Sequence, residues 1–328
     1  MTQSGPTGQS GPGPSPRVVE GWVSLRDVMA DGQRRLAAAG VPSPDTDAIL
    51  LAAYVKGVPR GRLLLQDRMD SQERTAYERL LTRRMARVPL QHLVGAAPFR
   101  NLELAVGPGV FIPRPETELV AQAGIDALRA LPPEERRAVD LCTGSGAVAF
   151  SLATEAAPAH VTAVEIDEAA VTWTRRNADA LRDEIEAAGS RVEVVQADAR
   201  TCAADGGPLA LLRGSIAVVT MNPPYVPSGA SVRDPEVRDH DPALALYGGP
   251  DGLDIIRGAV ATAAALLQPG GLVVIEHSDE QGDEAEEGVP AVLAADGRWR
   301  DIVDHRDLAR KPRFTTATRR MDGAGGAA

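Results

Sequence analysis

Asn222-Pro223-Pro224-Tyr225 sets one side-chain amide and one phenol on either side of two prolines, directly after the apolar run Ile216 to Met221. With three Asn, 25 Pro and four Tyr in the chain, chance yields this tetrapeptide about 2 × 10⁻⁴ times on the independence assumption behind composition priors. Asn-Pro marks turns in general, so a plain turn is one reading. The chemical reading goes further. A planar amide or exocyclic amine nitrogen has a delocalised lone pair and is a poor nucleophile. A site that alkylates it must grip both N–H bonds and aim the nitrogen at an electrophile. The Asn222 side-chain oxygen and the Pro223 carbonyl are two suitable acceptors. Proline has no N–H and a fixed φ, so Pro223-Pro224 holds that geometry rigidly while exposing carbonyls. Tyr225 offers a flat wall for a planar group. Such a site works by alignment and preorganised acceptors, which are worth more as the nitrogen becomes cationic than in the ground state. These four residues form the candidate catalytic and substrate-binding group.

A second constellation lies upstream, in DLCTGSGAVAF (residues 140–150). Asp140, Cys142, Thr143, Gly144, Ser145 and Gly146 make a candidate cofactor loop. Gly144 and Gly146 permit a tight turn and close approach of a ligand to the backbone at a helix N-terminus. Glu165 stands 21 residues beyond Gly144, where an acidic side chain accepts from the two hydroxyls of a ribose. Asp198, followed by Ala199, is placed to accept from an adenine amino group. Together with Asn222 these residues describe an adenosine pocket. The methyl donor with an adenosine handle is S-adenosylmethionine, whose product is S-adenosylhomocysteine. Gly144-x-Gly146-x-x-Ala149 also satisfies a dinucleotide fingerprint, so an NAD enzyme stays open at this level.

The elements that must position these residues follow from the chain as a whole. It has 328 residues, 44% hydrophobic and 24% charged, enough for a sizeable core and two domains. A formal net charge of −10 makes it a poor general binder of duplex nucleic acid, whose affinity comes from Lys and Arg on phosphates; no direct nucleic-acid contact is expected. Cys142 and Cys202 give neither a disulfide framework nor a metal cluster, and the five histidines lack ligand spacing, so no metal is expected. No apolar run nears the ~20 residues of a membrane span, and no signal peptide is legible. A cytoplasmic, monomeric protein is the expectation.

Residues 1–20 and 321–328 are rich in Gly, Pro, Ser and Ala and are expected to be disordered tails. Residues 21–90 carry three helical patterns, with Ser24 as a cap and Gly40 and Gly57 as stops, and make a small helical bundle. Residues 91–120 read as a linker or hairpin. From 121 to 320 short β-branched runs alternate with helical stretches: 138–142, 160–166, 191–197, 215–221 and 271–277. This predicts an α/β domain, doubly wound, on a mostly parallel sheet with both faces covered. WRDIVDH and RFTTATR add an antiparallel terminal hairpin. Ligands in such sheets bind beyond the carboxyl ends of the strands, near the switch in strand order.

DLCTGSGAVA, AVEID and NPPYVP resemble the methyltransferases that modify planar nitrogens with S-adenosylmethionine. PLQHLVGAAPFRNLELAVGPGVFIPRPETELV (residues 89–120) narrows the resemblance to the PrmC/HemK family, the protein-(glutamine-N5) methyltransferases of peptide chain release factors. ALALYGGPDGLDIIR, LLQPGGLVVIEH and RDLARKPR also match in kind, so the resemblance runs from about residue 23 to 318. It implies a Rossmann-like methyltransferase domain preceded by a helical domain that helps hold the release factor. It implies methyl transfer to the glutamine of the partner's GGQ motif. N6-adenine methylation of nucleic acid shares Asn-Pro-Pro-Tyr and is the alternative. Residue by residue, it implies a cofactor loop from Cys142 to Gly146, a ribose contact at Glu165, and Asn222 to Tyr225 around the glutamine. Pro113, Arg114, Pro115, Glu116 and Thr117 would shape the entrance or rest beside the cofactor; a plain loop with an Arg–Glu pair is the simpler alternative. Three departures stand out. Cys142 replaces the usual glycine, Glu165 the commoner Asp, and Ala199 an aromatic found in some members. His277 ends a strand at the same edge, but a methylated amide loses its proton to water without a base.

Overall fold

The computed structural model describes residues 18, 19 and 21–321. The expected tails therefore lie almost wholly outside the described residues. The chain divides into two compact units, residues 1–94 and 95–328.

In the first unit, helix α1 (Leu25–Ala38) is capped by Ser24, whose hydroxyl accepts from Asp27 N at 3.3 Å. Helix α2 (Pro44–Lys56) has Pro in its first turn and stops at Gly57 in the left-handed conformation. Helix α3 (Ser71–Met85) starts with a reciprocal capping box between Asp70 and Glu73, which satisfies two of the free N–H groups at its start. Helix α4 (Leu90–Val94) follows within the same unit. Leu36, Leu51, Tyr77 and Leu81 are wholly buried and belong to one core cluster. Gly32 lets the Tyr77 ring come close, since a Cβ there would lie 2.2 Å from its hydroxyl oxygen. The sequence reading expected helices alone. The unit also holds a small antiparallel sheet of β1 (Val18–Val19), β2 (Trp22–Ser24) and β3 (Arg68–Asp70). Strands of two or three residues are too short to show a period of two.

In the second unit, β4 (Ala96–Phe99) and β5 (Leu102–Ala105) form a hairpin, followed by α5 (Thr117–Arg129). Then come β6 (Arg137–Leu141), α6 (Ala147–Glu155), β7 (His160–Glu165), α7 (Glu168–Ala187), β8 (Arg191–Gln196) and β9 (Ile216–Met221). The short helices α8 (Pro235–His240) and α9 (Ala243–Leu246) precede α10 (Asp254–Leu266), β10 (Leu267–Glu276) and α11 (Val289–Asp296). Strands β11 (Trp299–Arg306) and β12 (Pro312–Arg319) close the unit.

Seven strands form one sheet in the order β11-β12-β10-β9-β6-β7-β8. The five from β10 to β8 are parallel, and β12 runs antiparallel between β10 and β11. This is the doubly wound, mostly parallel sheet with its antiparallel terminal hairpin. All six residues of β9 are buried, because both faces are covered. Ala217 and Val218 join the core beneath α5 and α6, whereas Ile216, Val219 and Met221 join the core with α10. Burying side chains of this size favours folding by about 1.5–3 kcal/mol each, which pins the register of β9. From β6 the chain steps to β7 and β8, then returns to place β9 on the other side of β6. The carboxyl ends of β6 and β9 thus flank the switch in strand order.

Candidate active site

A cavity of about 300 Å³ opens at that switch. Asp140, Cys142, Thr143, Gly144, Ser145, Glu165, Asp198, Ala199, Asn222, Pro224 and Tyr225 line it, with Pro113, Arg114 and Thr117 at another wall. Gly146, Pro115, Glu116 and Pro223 do not line it. The two constellations read separately from the sequence therefore share one space.

The loop after β6 is a tight turn. Thr143 N donates to Val164 O at 3.0 Å and Gly146 N to Thr143 O at 2.9 Å. Cys142 takes φ +59°, Gly144 +57° and Gly146 +86°. Cys142 thus meets the left-handed backbone that glycine would adopt at no steric cost, a strain of order 1–3 kcal/mol for other residues. Burial pushes its thiol well above the ordinary range, with Glu165, Asp140 and Asp198 adding to the effect, so it is a poor nucleophile. Around Gly144 a Cβ would meet nothing, but at Gly146 it would lie 2.1 Å from the Phe150 ring. One glycine leaves room and the other permits packing.

Asp140 ties the two strands of the switch together. Its carboxylate accepts from Thr143 Oγ1 at 2.6 Å and from Thr220 Oγ1, on β9, at 2.7 Å. Burial still pushes it up to about 6. Glu165 accepts from the backbone N–H groups of Gly144, Ile166 and Asp167 at 2.9, 2.9 and 3.0 Å. Its carboxyl is raised, burial outweighing those three bonds. Asp198 is paired with Arg200 at 2.6 Å, which holds it below the ordinary carboxylate range. The sequence reading did not foresee that Arg200 neighbour.

At the end of β9, the Asn222 Nδ2 donates to the Thr117 hydroxyl at 3.2 Å. The Tyr225 carbonyl accepts from Gln281 Nε2 at 3.1 Å, and burial raises the Tyr225 phenol above its ordinary range. Gly248 and Gly252 bring the following loop against this backbone. Cβ atoms there would lie 2.4 Å from Pro224 O and 2.2 Å from Tyr225 O. Arg114 pairs with Asp241 at 2.6 Å and sits 5.0 Å over the Phe111 ring. The simpler reading of that loop as an Arg–Glu pair is thereby corrected: the partner comes from the segment between α8 and α9, where a fully buried carboxylate needs a cation. His277 is buried against Ser278 O and Thr315 Oγ1, each at 2.9 Å, and does not line the cavity.

Sequence reasoning missed the residues that hold this loop from behind. Asn177 of α7 donates to Ser145 O at 2.9 Å and to Ala105 O at 3.1 Å, and accepts from Ala105 N at 2.8 Å. Thr174 donates to Gly144 O at 2.6 Å. The available signal was polar residues three apart on the buried stripe of an amphipathic helix. Glu276, wholly buried at the end of β10, also went unread. Among the described residues no group of three His, Cys, Asp or Glu is arranged to hold a metal, and no helix is long and apolar enough to cross a membrane.

Comparison with known proteins bears on both units. Residues 27–95 match the PrmC N-terminal domain and residues 108–234 the methyltransferase small domain. The release factor glutamine methyltransferase of Streptomyces coelicolor is 49% identical over 294 residues, covering 89% of this chain and 97% of that protein. Its counterpart in Mycolicibacterium smegmatis is 46% identical, covering 90% and 98%. That of Bifidobacterium longum is 42% identical, covering 79% and 89%. Identity of this extent, spanning both matched segments, leaves one assignment: the chain belongs to the release factor glutamine methyltransferase family.

Proposed function

We propose that this enzyme transfers the methyl group of S-adenosylmethionine to the side-chain amide nitrogen of the glutamine in the GGQ motif of a peptide chain release factor. The observation that carries the reading is the meeting, in one cavity, of the Gly144 loop and the Asn222 corner. Family membership favours glutamine over the N6-adenine alternative, and the net charge of −10 points the same way.

The residues present suit the cofactor. An open approach at Gly144, beside the start of α6, suits close backbone contact. Glu165 Oε1 spends both its acceptor sites on Ile166 N and Asp167 N, whereas Oε2 accepts only from Gly144 N and keeps a lone pair for a ribose hydroxyl. Asp198 and Ala199 stand at the adenine end. When bound, the cofactor supplies an electrophilic methyl on a sulfonium. The chain's own contribution is to hold and aim. With Nδ2 turned to Thr117, the Asn222 Oδ1 is left to accept one N–H of the substrate amide; the Pro223 carbonyl is the acceptor assigned to the other from its place in the motif, although Pro223 itself does not line the cavity. Tyr225 backs the amide plane. Both acceptors gain strength as positive charge grows on the nitrogen, and the finished N-methyl amide releases its proton to water. Pro113, Arg114 and Thr117 frame the entrance, with Arg114 anchored on Asp241.

Asn222→Ala tests this assignment. The expected result is a loss of at least about 100-fold in kcat on release factor, as for other preorganised polar contacts, with cofactor Kd within a few-fold. Loss of cofactor binding together with activity would contradict the role given to Asn222.

A further inference from the structure

Beside Asn222 lies a buried carboxylate that the reaction as described does not use. Strand β10 runs parallel to β9 with Ile275 opposite Met221, so Glu276 and Asn222 leave adjacent strands side by side. Glu276 is 2% exposed. The Thr117 and Asn222 side chains both favour its ionised form, while its Oε2 is buried without a partner. A carboxylate in such a place is costly, and packing alone would be served by an amide.

We propose that Glu276 is a positioning residue that decides which way round the Asn222 carboxamide sits. The inference rests on the role assigned above to the Asn222 oxygen. A half-turn about the last side-chain bond exchanges the oxygen and nitrogen of an asparagine with almost no change of shape. Only its partners choose between the two. An ionised carboxylate can only accept, so the single proton of the Thr117 hydroxyl goes to Glu276. The hydroxyl oxygen is then left to accept, and Asn222 must offer it Nδ2, the contact present at 3.2 Å. The oxygen consequently faces the cavity. If Glu276 were neutral, it would donate instead, and Thr117 would be free to turn its proton to Asn222. The reversed carboxamide would be equally well satisfied. It would present N–H groups to the N–H groups of the substrate amide, and the acceptor would be lost.

The relay makes a pH prediction whose sign is fixed. The charged groups facing Glu276 are Arg313 on β12 and Glu116 just ahead of α5, with the Tyr225 phenol beyond β9. Burial, the main cause, pushes the carboxyl up to about 7. The competent form is the ionised one, so activity falls as pH drops through that region.

The test uses the full chain with Glu276→Gln, Thr117→Val and Thr117→Ser. The Asn222 carboxamide protons, identified by their absence in Asn222→Ala, are followed by NMR in the free enzyme, alongside kcat on release factor and cofactor Kd. In the unmodified enzyme the carboxamide protons should show a cross-relaxation contact with the Thr117 side chain above neutral pH that weakens below it. Glu276→Gln and Thr117→Val should lose that contact and about 10- to 100-fold in kcat, with cofactor Kd within about two-fold and the acid limb abolished in Glu276→Gln. Thr117→Ser, which keeps the hydroxyl, should restore both contact and rate. A Glu276→Gln enzyme with the contact, rate and acid limb intact would overturn the proposal. So would joint loss of rate, cofactor affinity and thermal stability, which marks a merely structural role. An unmodified enzyme that fails to methylate release factor would sink the proposed function instead, and the NMR contact would still decide the role of Glu276.

Discussion

At the scale of single residues, the site turns on a few backbone and hydrogen-bonding choices. Gly146 combines φ +86° with a Phe150 ring carbon 2.1 Å from where a Cβ would stand. Gly146→Ala should therefore destabilise the enzyme by about 2–4 kcal/mol through left-handed strain and overpacking, and weaken cofactor binding, as measured by denaturant unfolding and calorimetric titration. An unchanged unfolding midpoint would mean that the loop relaxes freely. That Asn222, Tyr225 and the Gly144 loop meet at one cavity was legible because their types and spacing are improbable by chance and each follows a strand of the parallel sheet. Cys142 was legible as a departure, and its φ of +59° is what a side chain in a glycine position requires. Glu276 was not legible, and Thr117 was legible only as part of the entrance segment, not as the partner of Asn222. Thr117 meets Asn222 across 105 residues, and neither carries a local spacing that hints at its neighbour.

At the scale of elements, the five parallel strands announced themselves as apolar runs, since burial on both faces removes the polar alternation. The three short strands of the first unit and helices α8 and α9 did not, being too brief for any period to register. The segment holding α8 and α9 nevertheless supplies Asp241, the partner of Arg114. Asp241 is wholly buried at the side chain, and burial raises it to about 6 despite Arg114. Removing the cation by Arg114→Ala leaves that charge uncompensated, at a cost of about 3–5 kcal/mol for a buried pair. Proton uptake offsets the cost when the pH is low. The destabilisation by Arg114→Ala should accordingly be larger at pH 8 than at pH 5 when unfolding is followed in urea. Equal losses at both pH values would show that the pair contributes nothing as a pair.

At the scale of the whole molecule, the order of strands is what brings the two motifs into one cavity, and Asp140 is the bond between the strands concerned. Its carboxyl is raised from 3.8 to about 6 in the folded chain. A raised carboxyl stabilises the fold below the unfolded value and loses that contribution as pH rises through the folded one. Asp140→Asn removes this linkage. Relative to the unmodified chain, the variant should gain up to about 3 kcal/mol between pH 3.8 and pH 7, read as the difference in unfolding free energy. A pH-independent difference would mean that Asp140 titrates at its ordinary value.

The central claim is that Asn222 and its neighbours hold a glutamine amide of a release factor. The most direct measurement follows label from tritiated S-adenosylmethionine into purified release factor, and into the same factor with its GGQ glutamine replaced. The account predicts one methyl group on the glutamine of the unmodified factor and none on the replaced one. Label that survives the replacement, or that appears only on nucleic acid, would contradict it.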